Sequence, residues 1–283
     1  MTQPDLKNAS AYCNYNDVFD CYDQLRQPNG LPELLDIFSQ VGPVDTLTVL
    51  EGGFGTGAYF NALRRHVKIM YGVEGSELGL ETTRQKVGDA DNVRLALGNI
   101  LDLDFPDRFF DAYTVNQVLH HLDTDPAYPN LTLFLKEAWR TLTPGGVLVI
   151  NTCTQAQLDP LSGVYWNYAF MAEVAARLAA RYIPVETLTR RMSDLGFADI
   201  RQVVPSGRLF EDRYYSDPSI VLEPDFQNGD SVYSLSSPEE IEQANARIQA
   251  GIADGSVYEQ MARAGKKAEE TGEAVMISAR KPA

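Results

Sequence analysis

Cysteine is scarce: Cys13, Cys21 and Cys153 are the three in 283 residues, too scattered for a disulfide framework and without a zinc-ligand spacing. A reducing compartment and no metal are the expectations. Basic residues are also few. Against 39 Asp and Glu stand 24 Lys and Arg, a formal net charge of −15 that would repel a phosphate backbone and weighs against a nucleic-acid partner. No stretch approaches about 18 consecutive apolar residues. The opening MTQPDLKNASAYCNYND has neither the basic nor the apolar region of a signal peptide. A cytoplasmic chain without a membrane span is expected, and no internal repeat is present.

What is there is organised around Leu47 to Gly57, LTVLEGGFGTG, a β-branched run, an acid and glycines on alternate positions. This pattern predicts a strand feeding a nucleotide-binding turn. Gly53, Gly55 and Gly57 remove Cβ atoms where the chain turns and a ligand approaches, and the following helix would direct free N–H groups at that ligand. Gly53, Gly55 and Ala58 also satisfy the G-x-G-x-x-G/A dinucleotide fingerprint, so a nicotinamide dehydrogenase is an alternative at this point.

Further matches separate the two. Glu51 completes E-x-G-x-G-x-G, Glu74 closes a second strand in IMYGVEGS, and Gly98-Asn99-Ile100 follows a third in VRLALGNI. With FFDAYTVNQVLHHLD and LKEAWRTLTPGGVLVINT after them, the ordered set from Leu47 to Val204 resembles the class I S-adenosylmethionine (SAM) dependent methyltransferases, in particular small-molecule enzymes of the ubiquinone and menaquinone methyltransferase type. The resemblance implies a Rossmann-like seven-stranded α/β sheet with an antiparallel last strand. It also implies SAM as cofactor, with Glu51, Gly53, Gly55, Gly57, Glu74, Asn99, Ile100, Asn116 and Gln117 around it. The family often has Asp where Asn99 stands, so a charged contact to the adenine amino group becomes an amide contact.

The periodicity supports the same layout. Continuous apolar strands alternate with helices at about Ala58 to His66 and at Glu77 to Val87, the mark of a parallel sheet covered on both faces. Right-handed crossovers gather the loops after successive strands at one edge. Glu74, about 21 positions after Gly53, stands where a carboxylate accepts hydrogen bonds from ribose hydroxyls. His120 and His121 follow the fourth strand. Histidine titrates near neutrality, so either is a candidate catalytic base, and neighbouring positions point in different directions, so one of the two should face the acceptor.

Around this core the chain adds two things. Tyr12, Tyr15, Phe19 and Tyr22 share one helical face in Ala11 to Arg26, an expected cover over cofactor and substrate. A long helix is expected over Ser162 to Tyr182, with Tyr165, Trp166 and Phe170 off its buried stripe as candidates, with Tyr12 and Tyr22, for the substrate pocket. Roughly 65 residues then intervene before the last strand, GEAVMISARK, where a short hairpin is usual in the family. Ser237 to Glu240 and Ser256 to Glu259 read as capping boxes opening two helices in this insertion. No independent core is evident there, so it should pack as a cap.

The expected division is an N-terminal helical cover at 1–45, a SAM-binding core at 46–205, an inserted cap at 206–270 and the last strand at 271–283. The expected function is methyl transfer from SAM to a small-molecule acceptor by a monomer or homodimer. The alternative within the fold is a SAM-binding protein that does not transfer methyl groups.

Overall fold

Strand β1, Thr48–Gly52, lies near the middle of the sheet in the computed structural model, which describes residues 25–283. With β2 (Ile69–Glu74), β3 (Val93–Leu97), β4 (Phe110–Asn116), β5 (Leu142–Thr152), β6 (Ala198–Val203) and β7 (Val275–Arg280) it forms a seven-stranded sheet of order β3-β2-β1-β4-β5-β7-β6. The pairings among β1 to β5 are parallel, and β7 runs antiparallel to both neighbours, β5 and β6. The α/β class and the antiparallel last strand are as the sequence implies.

Successive strand residues feed opposite faces, as the two-residue period requires. Val49, Ala112, Val149 and Met276 join the cluster that packs on helices Leu31–Ser39, Ala58–Leu63 and Glu77–Val87. Leu50, Tyr113, Leu148 and Ile277 join the one on the other face, with Pro129–Thr141 and Val185–Asp194. Because β1 to β5 are parallel, Glu51, Glu74, Asn116 and Cys153 all come to the same, carboxyl-terminal edge.

A third cluster sits beyond that edge. The insertion contributes Phe210, Tyr214, Phe226, Tyr233, Ile248 and Val257, and the segment after β5 contributes Tyr165, Trp166, Tyr168 and Leu178. The core unseen in the insertion by itself is thus assembled from two stretches distant in sequence. Residues just ahead of the first helix are stitched to it: Gln27 N donates to Leu209 O at 3.0 Å and Glu211 N to Leu25 O at 3.0 Å. The Arg26 guanidinium lies 3.8 Å from the Phe210 ring centre and pairs with the buried Asp230 at 3.7 Å.

Two local expectations are corrected. Ser162 to Tyr182 is not one helix but a 3-10 segment, Trp166–Met171, followed by an α-helix, Ala172–Ala179. Its WNYAF run has weak helix propensity, and Met171 leaves helical geometry (φ −139°, ψ 48°), while Trp166 Nε1 donates to Tyr214 O at 3.1 Å. The second capping box does not form either. Helix Ser256–Thr271 follows Pro238–Asp254 across the single left-handed Gly255, so Ser256 is already helical and its N–H is met by Asp254 Oδ1 at 2.9 Å. The first box does form, Ser237 Oγ accepting from Glu240 N and Glu240 Oε2 from Ser237 N. Ser237→Ala should remove about 1 kcal/mol of stability, lowering Tm by roughly 2–4 °C in a thermal melt.

Tyr12 and Tyr22, with Cys13 and Cys21, lie outside the described residues. Among the described residues no helix is long and apolar enough to cross a membrane, and no cluster of three or more His, Cys, Asp or Glu could hold a metal.

Candidate active site

The glycine turn after β1 is built by backbone conformation. Gly53, Gly55 and Gly57 have φ of 65°, 54° and 79°, a region that side chains disfavour. A Cβ on Gly57 would lie 2.5 Å from Thr83 Oγ1, and one on Gly53 2.9 Å from Val118 Cγ2. Thr83 Oγ1 itself donates to Gly55 O at 3.0 Å, so the helix after β2 holds the turn from outside.

Glu74 locks the turn from the neighbouring strand. Its Oε2 accepts from Gly55 N at 2.8 Å and its Oε1 from Ser76 N at 2.9 Å. A carboxylate offers about four lone-pair sites, so both oxygens keep capacity for ligand hydroxyls. Burial pushes its pKa up, against the lowering effect of these N–H groups. Asn99 accepts from Leu101 N at 2.9 Å in the loop after β3, beside the buried Ile100.

Glu51 is more unusual. It is 1% exposed, its Oε1 accepts from Asn116 Nδ2 at 2.9 Å, and burial raises its pKa to about 8, with the nearby Glu74 adding to the rise and the Asn116 bond opposing it. Glu51 Oε2 and Asn116 Oδ1 are both buried acceptors without a hydrogen-bond partner. Such groups are costly to leave unpaired, and two of them side by side at the glycine turn suit a ligand ammonium group. The α-ammonium of SAM fits this requirement, and the glycine turn leaves room for the chain that carries it.

Past Asn116, Gln117 has a φ of 55°, and its N donates to Asn151 O at 2.8 Å. His120 and His121 then lie in a 3-10 turn, Leu119–His121, with ring centres 4.0 Å apart. Both are buried. His120 stacks on Tyr182 (4.2 Å, 11°), whose hydroxyl is 3.3 Å from His120 Nε2. Burial, followed by the charge of Arg181, pushes His121 down to about 3; burial, His121, Arg26 and Arg181 hold His120 well below the usual range.

A rate profile limb near pH 6.5 is therefore not expected from either residue. A stability effect is. The unfolded chain protonates His121 below about 6.5 and the native state only near 3, so native stability falls as pH drops through that window. His121→Gln should reduce that acid-side loss, measured as Tm against pH.

Of the aromatic candidates after β5, Tyr165 reaches the sheet edge, its hydroxyl 3.2 Å from Cys153 Sγ. Trp166 stacks on Tyr214 and Phe170 packs edge-on to Trp166, both within the third cluster. The sequence reading did not single out Ser76, Thr83, Tyr182 or Cys153 as site residues. Nothing in their own neighbourhoods marks them; they are brought in by strand order.

Fold and site together define a Rossmann-like nucleoside-binding protein whose glycine turn, paired acid and buried acceptors suit an amino-acid-bearing nucleoside. Residues 50–150 match the family model described as a methyltransferase domain. Over that span the chain has the features of a methyltransferase domain, with the glycine turn, Glu51, Glu74 and Asn116 all inside it. A demethylmenaquinone methyltransferase of Staphylococcus aureus (strain JH9) is 28% identical over 165 residues, 52% of this chain and 66% of that relative's length. Among solved structures, a protein of Anabaena variabilis ATCC 29413 provisionally assigned as a methyltransferase from an antibiotic biosynthesis pathway aligns with TM-score 0.68 at 18% identity, covering 90% of this chain and 98% of its own. A phosphoethanolamine N-methyltransferase 2 of Haemonchus contortus, in complex with phosphomonomethylethanolamine and S-adenosylhomocysteine, aligns with TM-score 0.56 at 16% identity, covering all of this chain and 61% of its own. At these identities the likeness to solved structures is one of fold.

Proposed function

We propose that the protein transfers a methyl group from SAM to a small-molecule acceptor held between the sheet edge and a cap made of residues 206–270 and the segment after β5. The observation that carries this reading is the pair of unpartnered buried acceptors, Glu51 Oε2 and Asn116 Oδ1, beside the glycine turn. In this assignment Glu51 and Asn116 receive the ammonium, Gly53, Gly55 and Gly57 admit the methionine portion, and Glu74, Asn99 and Ile100 hold the adenosine. When bound, SAM supplies an electrophilic methyl group on a sulfonium.

The chain's task is then alignment and exclusion of water rather than elaborate acid–base chemistry, since transfer discharges a cation. The aromatic cap and its joint with Leu25 to Gln27 support that role. We assign the acceptor-side histidine to His120, because it is the one stacked on Tyr182. Kept neutral by its surroundings, it can accept a hydrogen bond or a proton, but with weak basicity. An acceptor that is already nucleophilic, or that ionises readily, suits such a site best. The low cysteine content supports a reducing, cytoplasmic setting, and the acidic surface supports an acceptor other than nucleic acid.

The test is formation of S-adenosylhomocysteine from SAM across phenols, amines, thiols and thioethers, with NAD oxidoreduction as a control. Turnover with any acceptor class supports the assignment. SAM retention without turnover across the whole panel would favour a protein that binds SAM without transferring the methyl group.

A further inference from the structure

Gln117 is a polar residue at the sheet edge held in a left-handed backbone conformation, φ 55°. A left-handed backbone is uncommon for a non-glycine residue and persists where surrounding structure enforces it. Gln117 N is tied to Asn151 O at 2.8 Å, and its Oε1 lies 3.6 Å from Cys153 Sγ at the end of β5. Burial keeps the Cys153 thiol protonated, so it can serve as a donor to that oxygen. The other end of the amide, Nε2, is buried and has no hydrogen-bond partner. A fixed amide with its oxygen engaged and its N–H group unanswered awaits a ligand acceptor atom.

The surroundings separate this donor from the ammonium site one residue earlier. Asn116 is bonded to Glu51 at the glycine turn. Gln117 is bonded toward β5 and the cap: Cys153 Sγ is 3.2 Å from Tyr165 Oη, and that hydroxyl donates to Glu273 O at 2.7 Å. The Glu273 carboxylate in turn accepts from Tyr215 Oη at 2.7 Å and Leu209 N at 2.8 Å, both in the insertion. Adjacent residues are thus anchored on different strands, Asn116 on Glu51 of β1 and Gln117 on Asn151 and Cys153 at the end of β5.

We propose that Gln117 is a specificity-determining residue whose Nε2 donates a hydrogen bond to an oxygen of the methyl acceptor. It selects acceptors that carry a carboxylate, carbonyl or hydroxyl oxygen close to the methylated atom. The inference rests on the methyltransferase reading and narrows its substrate class. The chain through Cys153, Tyr165 and Glu273 makes the placement of this donor depend on the seating of the cap.

The experiment follows the Gln117 side-chain amide by proton–nitrogen NMR on the full chain, the resonance being assigned by its loss in Gln117→Glu. S-Adenosylhomocysteine is added first, then phenol or benzoate, and separately the oxygen-free counterparts thiophenol and benzylamine. The nucleoside should shift the Gly53, Gly55 and Gly57 amides and leave the Gln117 side chain in place. The oxygen-bearing probes should then move its protons downfield and the oxygen-free ones should not. A shift on adding the nucleoside alone would overturn the inference, since Gln117 would then serve the methyl donor. So would a failure of every probe to move it. Silent glycine amides would instead show that the methyl-donor reading itself had failed. For a probe that turns over, Gln117→Glu should raise the acceptor KM about tenfold, the loss of one hydrogen bond, and leave the SAM KM unchanged.

Discussion

Glu51→Gln is expected to strengthen the ligand-free fold and weaken SAM binding at once. In the unfolded chain Glu51 loses its proton near its ordinary 4.5, and in the native protein near 8. Between those values the native state holds a proton that the unfolded state has released, so native stability falls as pH rises through the window, at roughly 1.4 kcal/mol for each pH unit. The loss is complete above about pH 8, where the buried carboxylate is charged. Glutamine keeps the shape and an acceptor for Asn116 but removes that pH-dependent loss. Tm at pH 8.5 should therefore be higher in the variant than in the parent, and the two should converge toward pH 5. The same change removes the carboxylate proposed to meet the ammonium, and should weaken SAM by about 1.5–3 kcal/mol, or some 10- to 150-fold. A variant that is neither more stable at high pH nor weaker in binding would contradict the role given to Glu51.

Gly57→Val should be more damaging still. The position has a φ of 79°, which a β-branched residue rarely adopts, and the new Cβ alone would come 2.5 Å from Thr83 Oγ1. Backbone strain of this kind is on the order of 1–3 kcal/mol, before any displacement of Thr83 from Gly55 O is counted. The turn must open or shift, and Gly55 N would leave Glu74. Affinity for S-adenosylhomocysteine should fall by at least about 100-fold in calorimetric titration, with the far-ultraviolet circular dichroism of the sheet retained. Normal affinity in the folded variant would show that this turn does not carry the ligand.

Much of this core was legible because its signals are local. Glu51 and the alternate glycines stand together in sequence, Glu74 ends the very next strand, and a parallel sheet has few ways to arrange them. Helix Glu77–Val87 was likewise readable from the strand–helix alternation, and the structure adds the Ser76 side chain that caps it through Gly79 N. The third cluster was less legible. Phe210, Tyr214 and Phe226 form one stacked group with Trp166, from a segment more than about 40 positions earlier, and no periodicity links such stretches. Tertiary packing also overrode the helix expected over Ser162 to Tyr182. The histidine pair was found by position, but its suppressed basicity depends on burial and on Arg26 and Arg181, which only the fold brings near.

On the proposed assignment, the buried Glu51 is protonated in the ligand-free protein and ionises to meet the ammonium of SAM. Calorimetric titration with S-adenosylhomocysteine at pH 7, in phosphate and again in Tris, tests it most directly. With a pKa of about 8 in the ligand-free protein, Glu51 is mostly protonated at that pH and must ionise on binding. One site is expected, with release of close to one proton seen as an enthalpy that differs between the buffers, and with disappearance of that difference in Glu51→Gln. Binding with no proton release, or with the same release in both proteins, would contradict it.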